Sequence, residues 1–140
     1  MSEVMRGISP YLAVLALLVA TGAANAQIEF EGIPSVVVEV QEGTTRSVEV
    51  ASSRVSDLKV RIVKEGGRYI WASRNNLAMN KTESGVYITY TATTGVGYVR
   101  VLNPMMRKLL ESLPPEQRAK EFVYMEHMVN RLGSITYFGR

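Results

Sequence analysis

The sequence predicts an α+β domain: a mostly antiparallel sheet of about five to seven strands, a late helical pair packed on it and a C-terminal strand. Three observations lead to this fold class. β-branched residues alternate with polar ones along much of the chain up to residue 102. An Asn-Pro pair that is typical of a helix start follows. A short β-branched and aromatic run then closes the chain after a glycine.

Residues 1–26 have the features of a signal peptide. An uninterrupted apolar stretch (YLAVLALLVA) fills residues 11–20, and a small-x-small cleavage site at 24–26 precedes Gln27. The apolar stretch is shorter than the roughly 20 residues that a helix needs to cross a membrane. We therefore expect residues 27–140 to form a single exported domain, periplasmic or secreted. If the segment is retained, the protein would instead be a membrane-anchored accessory subunit.

Two β-branched runs open the predicted domain. Residues 35–41 (SVVVEVQ) and 46–51 (RSVEVA) flank a short glycine-containing turn, which predicts a hairpin. Residues 57–65 (DLKVRIVKE) alternate apolar and charged side chains, as a half-buried antiparallel strand does. After two glycines, residues 68–72 (RYIWA) predict another short strand.

The next part of the chain is predicted to form a loop followed by a hairpin. Residues 73–85 (SRNNLAMNKTESG) are polar and lack period-two alternation, so we interpret them as the longest loop. Residues 86–102 (VYITYTATTGVGYVRVL) form the clearest predicted hairpin, with its turn at 93–95.

The remaining chain predicts two helices and a strand. Asn103 is a suitable N-cap and Pro104 a suitable first helical residue for a short helix over residues 105–113. Two prolines end that helix and start a second one, from about residue 115 to about residue 132. Gly133 would be its C-cap, and residues 134–138 (SITYF) would form the last strand.

The predicted second helix has two faces. Its helical spacing gives a core-facing stripe of Phe122, Met125, Val129 and Leu132. The opposite face would then carry Tyr124, His127 and Arg131.

His127, the only histidine, is the one candidate catalytic residue. The adjacent Glu126 would not orient it, because consecutive residues of a helix do not face each other. The chain has no G-x-S-x-G elbow and no P-loop. A small hydrolase or lyase that uses His127 with Tyr124, or with a glutamate from another element, is the enzymatic alternative to a binding role.

Composition excludes several classes of site. The chain has no cysteine, which excludes disulfides, zinc–thiolate sites and cysteine nucleophiles. A single histidine and a single aspartate, Asp57, make a metal site unexpected, and no cofactor is predicted. The net charge of +3 comes from scattered basic residues, so nucleic acid is not the expected partner.

Aromatic and basic residues are the candidate binding residues, because Trp, Tyr and Arg are enriched at binding hot spots. The predicted partner- or ligand-binding set is Trp71, Arg74, Tyr98, Arg100, Tyr124, His127 and Arg131. The sequence favours a small exported, non-enzymatic binding or accessory protein. Its partner would be another envelope protein or a small ligand, with membrane contact only if the N-terminal segment is retained.

Overall fold

The computed structural model describes residues 26–118 and 121–140 of the chain. The strands, in chain order, are β1 (Ala26–Gly32), β2 (Pro34–Gln41), β3 (Thr44–Glu49), β4 (Val60–Glu65), β5 (Arg68–Trp71), β6 (Leu77–Glu83), β7 (Tyr87–Ala92), β8 (Gly97–Leu102), β9 (Tyr124–Asn130) and β10 (Gly133–Gly139). Between β8 and β9 lie helix α1 (Pro104–Glu111) and the four-residue helix α2 (Pro115–Arg118). The predicted signal peptide, apart from Ala26, lies outside the described residues.

The ten strands form one antiparallel sheet that curves into a half-barrel. Its order is β1-β4-β5-β6-β7-β8-β9-β10-β2-β3. Only Ile33 separates β1 from β2, yet β1 pairs with β4 and β2 pairs with β10. At this corner the chain therefore connects two strands that are far apart in the strand order. Gly32 and Gly139 allow the close approach there, because a Cβ on Gly32 would overlap the Tyr124 ring and one on Gly139 the Ile33 carbonyl oxygen.

The core lies on the inner, concave face of the half-barrel. Alternate residues of each strand point to this face. It contains Phe30, Val60, Ile62, Trp71, Met79, Tyr90, Ala92, Val99, Val101 and Tyr124. Phe30 and Tyr124 meet edge to face with ring centroids 5.2 Å apart. The Arg107 guanidinium of α1 lies 5.8 Å from the Phe30 ring, so the helix sits beside this part of the core.

The predicted α+β fold with five to seven strands and a helical pair is wrong, because the described residues form a ten-stranded sheet and, among them, only α1 exceeds one turn. The second predicted helix is replaced by α2 and the strand β9, and residues 119–120 within it lie outside the described residues. The predicted core stripe is also wrong, since Val129 and Leu132 are more than half exposed. Tyr124 and Glu126 are the buried residues instead, which is the period of a strand.

The predicted loop at residues 73–85 contains the strand β6. Leu77, Met79 and Lys81 share the inward-facing positions of this strand, so a lysine interrupts the apolar alternation. Lys81 is accommodated because its Nζ lies 2.8 Å from Glu29 Oε1. The polar composition of residues 73–85 is therefore compatible with a strand, and the prediction of one long loop is wrong.

Several local predictions are confirmed. The two predicted hairpins are β2–β3 and β7–β8, and a final strand follows Gly133. Asn103 is the N-cap of α1: its Oδ1 accepts a hydrogen bond from Met106 N at 2.9 Å. Within the described residues, neither helix has the length or apolarity required to cross a membrane.

Candidate functional site

The outer, convex face of the sheet carries a continuous group of aromatic, apolar and basic side chains. Strand pairing places Tyr98 opposite His127 and Arg100 opposite Met125, on the face away from the core. Tyr87 and Phe138 join the same face from β7 and β10, and Phe122 precedes β9. We call this surface the outer-face site and define it by Tyr87, Tyr98, Arg100, Phe122, Met125, His127 and Phe138.

Arg100 is held between two tyrosine rings. Its guanidinium carbon lies 5.4 Å from the centre of the Tyr87 ring and 5.2 Å from that of Tyr98. Its Nε donates a hydrogen bond to Thr89 Oγ1 at 3.3 Å. Among the residues that the structure describes, none forms a salt bridge with Arg100. The two rings therefore hold the Arg100 guanidinium in place by cation–π contacts.

His127 is part of the same surface. Its Nδ1 lies 2.8 Å from Thr136 Oγ1, and its ring centroid is 5.3 Å from that of Tyr98. Tyr124 and Glu126 lie on the opposite, buried face of β9. Within the described ranges no hydrogen bond joins His127 to a carboxylate. Thr136 Oγ1 is thus the side-chain hydrogen-bond partner of His127 in the described part of the chain.

An aromatic groove lies next to Arg100. It has a volume of about 250 Å³ and is lined by Tyr87, Arg100, Glu121, Phe122, Val123, Tyr124, Met125 and Phe138. The rings of Phe122 and Phe138 are 5.1 Å apart. Tyr87 and Phe122 are 40% and 39% exposed. A solvent-facing side of an antiparallel sheet is usually polar, whereas this groove combines aromatic rings with the charged side chains of Arg100 and Glu121.

The predicted binding residues divide into two groups. Tyr98, Arg100 and His127 come together in the outer-face site. The other four lie elsewhere: Trp71 and Tyr124 are buried in the core, Arg74 is ion-paired on the inner face, and Arg131 is exposed in the β9–β10 turn.

On the inner face, Arg74 and Glu126 form a buried ion pair. Arg74 Nε donates to Glu126 Oε1 at 2.6 Å, and the guanidinium lies 5.4 Å from the Tyr137 ring. Burial raises the pKa of Glu126, and the charge of Arg74 and its hydrogen bond oppose this shift. Burial also raises the pKa of Tyr124, with a further contribution from the Glu126 charge. The pair joins the β5–β6 loop to β9 and has a structural role.

A second polar cluster connects β1, β6 and β7. Glu29 Oε1 accepts hydrogen bonds from Lys81 Nζ at 2.8 Å and from Tyr90 Oη at 3.0 Å. Burial alone would raise the pKa of Glu29, but the hydrogen bonds from Lys81 and Tyr90 and the Lys81 charge outweigh it, so the pKa is lowered. Because its charges are compensated internally, this cluster links the three strands and leaves little charge for a ligand.

In residues 26–118 and 121–140, no three His, Asp or Glu side chains lie close enough together to hold an ion.

Four residues of the outer-face site are absent from the predicted binding set: Tyr87, Phe122, Met125 and Phe138. Helical spacing places Phe122 and Met125 in a core stripe, and the sequence does not show which strands lie next to Phe138. Apolar–polar alternation does not reveal β9, because the charged Glu126 takes a buried position and the apolar Met125 an outer one.

Comparisons with known proteins identified no relative. No protein-family model matches the chain, and the comparisons with curated proteins and with solved structures found no match. The geometry of the outer-face site therefore carries the functional argument alone.

Proposed function

We propose that the protein is a small exported, non-enzymatic binding or accessory protein of the cell envelope, and that its outer-face site binds another protein. One observation carries the proposal: Arg100 is fixed between Tyr87 and Tyr98, and no salt bridge to it is found among the described residues. A positioned cation beside an aromatic groove has the composition of a binding hot spot.

The chemistry of the site defines the partner. Arg100 favours an acidic side chain, and the groove beside Phe122 favours an apolar one. The groove, at about 250 Å³, is smaller than the roughly 300–1,000 Å³ that is usual for a small-molecule site. A protein surface can supply the acidic and the apolar group together, so we favour a protein partner over a small ligand.

Export is part of the proposal and rests on residues 1–26. The apolar stretch and the cleavage pattern before Gln27 support it. N-terminal sequencing of the protein from its native host tests this part. We expect the mature chain to begin at Gln27, and a retained residue 1 in the membrane fraction would favour the anchored subunit.

The binding experiment uses the purified mature protein and an envelope extract of the native host. Proteins captured by the wild type are identified, purified and titrated against the wild type, Arg100→Ala and Phe122→Ala. Truncating a hot-spot side chain costs at least about 2 kcal/mol of binding free energy. We therefore expect dissociation constants about 30-fold higher for both variants than for the wild type.

Arg131→Ala is the matched control, because it removes an exposed arginine that lies in a turn outside the site. It should bind as the wild type does. Circular dichroism must show that all variants keep the fold. Equal affinity of the wild type, Arg100→Ala and Phe122→Ala for every captured protein would refute the outer-face site.

A further inference from the structure

The strand β3 forms one end of the sheet and has a free edge. Among the strands of residues 26–118 and 121–140 it pairs with β2 alone, and all six of its residues, from Thr44 to Glu49, are exposed. A strand edge of this kind presents unpaired backbone groups to which another strand can bind.

The hydrogen bonds of the hairpin identify which groups are free. Val50 N donates to Ser35 O at 2.9 Å, so these two residues form a hydrogen-bonded pair. Such pairs alternate along an antiparallel ladder. Arg46 and Val48 therefore direct their backbone groups toward β2. By the same alternation Thr45, Ser47 and Glu49 direct theirs outward, so these three residues form the available edge.

The edge lacks three features that normally prevent strand addition, namely proline, lysine and a β-bulge. Its pairing with β2 runs from Val36↔Glu49 to Gln41↔Thr44 without a register shift, and it contains no proline and no lysine. Arg46, its only cation, is paired with Glu39 at 3.4 Å. By contrast, β1 at the other end of the sheet has a register shift between Ile28 and Phe30.

We propose that a second copy of this chain binds at the free edge, so that the two β3 strands pair antiparallel about a two-fold axis at Ser47. In this register Ser47 faces Ser47 of the second copy, and Thr45 faces Glu49. The available groups of all three edge residues are then hydrogen-bonded. This inference is independent of the proposed function, because β3 contributes no residue to the outer-face site.

Two other registers of the β3–β3 pairing keep each side chain on the same face of the sheet, and both are less favourable. A two-residue shift in one direction places Arg46 directly opposite Arg46 of the second copy, and like charges in that position are destabilising. The opposite shift leaves Thr45 without a strand residue to pair with. The edge is thus self-complementary in one register, which favours a second copy as its occupant.

The inner face of β3 supports the same arrangement. Val48 is 47% exposed and lines a groove of about 280 Å³ with Val37, Leu58 and Tyr137. In the proposed register the two Val48 side chains are diagonal neighbours, about 7–8 Å apart. Dimerisation would therefore cover an apolar side chain on each copy.

Cysteine cross-linking tests the register, and the chain has no cysteine of its own. Ser47→Cys places the two thiols on the axis, so mild oxidation should give a covalent dimer. Thr45→Cys is the matched control: its two thiols would lie four residues apart along the strands, about 14 Å, and should not cross-link. A mixture of Thr45→Cys and Glu49→Cys should cross-link again.

Sedimentation of the mature protein tests the dimer itself. We expect a concentration-dependent dimer in the wild type, and only monomer in Ser47→Pro. Proline at this position removes an outward N–H that β2 does not use, so the monomer should keep its fold. The inference is overturned if the wild type is monomeric at all concentrations, if Ser47→Pro remains dimeric, or if Thr45→Cys cross-links as well as Ser47→Cys.

Discussion

Arg74 and Glu126 are joined by a 2.6 Å hydrogen-bonded ion pair, although they are 52 residues apart in sequence. The Glu126 side chain is fully buried, whereas the Arg74 side chain is 22% exposed. The pair connects the loop after β5 to β9 across the inner face of the half-barrel. Removing one member of a buried pair leaves a charge without compensation, while replacing both members by apolar residues is often nearly neutral.

We therefore expect Arg74→Met to lower the free energy of unfolding by about 3–5 kcal/mol at neutral pH. The double variant Arg74→Met/Glu126→Leu should lose clearly less unfolding free energy than Arg74→Met and Glu126→Leu lose together. Urea denaturation measures all three, with the exposed Arg131→Met as a control that should change stability by less than about 0.5 kcal/mol. Strict additivity in the double variant would contradict the ion pair.

The raised pKa of Glu126 predicts a definite pH dependence. Burial, only partly opposed by Arg74, raises this pKa above its ordinary value of 4.5, so the folded protein holds the proton more tightly than the unfolded chain. The stability that this group contributes is complete below about pH 4.5 and is lost as the pH rises through the folded pKa. Relative to Glu126→Gln, the wild type should therefore become less stable over that interval. If the difference in unfolding free energy between the wild type and Glu126→Gln stays constant across the titration, the pKa of Glu126 is not raised.

Glu29 should show the opposite dependence. Burial would raise its pKa, but Lys81 and Tyr90 reverse the shift and lower it below 4.5. The stability contributed by Glu29 is therefore present above about pH 4.5 and is lost as the pH falls through the folded pKa. Glu29→Gln should remove this acid-side loss, as measured by thermal unfolding between neutral pH and about pH 3. If the variant and the wild type lose stability in parallel, the Glu29 cluster does not contribute as described.

Local signals predicted the parts of the fold that local interactions determine. The turn residues and β-branched runs of β2–β3 and β7–β8, and the Asn103 cap, act within a few residues of one another. The strands β6 and β9 were missed because each carries a charged residue on its inner face. Lys81 and Glu126 both pair with partners 52 residues away, which no local pattern reveals.

The candidate site was predictable in part for the same reason. Tyr98 and Arg100 share one strand, so alternation alone places them together. His127 joins them only because β9 pairs with β8, and Phe138 joins because β10 pairs with β9. Strand order is a long-range property, so the sequence could suggest the residue types but not their assembly.

The last prediction concerns the pairing of β8 with β9, which assembles the outer-face site. Gly97 lies opposite Met128, and a Cβ at Gly97 would overlap the backbone carbonyl oxygen of His127. Backbone atoms cannot yield as a flexible side chain can, so Gly97→Ala should separate the two strands locally. We expect a loss of about 1–3 kcal/mol of unfolding free energy, together with weaker partner binding.

Gly85→Ala is the matched control, because a Cβ there meets no atom within 4 Å. It should change the free energy of unfolding by less than about 0.5 kcal/mol. Denaturant titration of the two variants gives the stabilities, and hydrogen exchange of the β8 and β9 amides locates the effect. If Gly97→Ala is as stable as Gly85→Ala, the close approach of the two strands at Gly97 is incorrect, and with it the placement of His127 beside Tyr98.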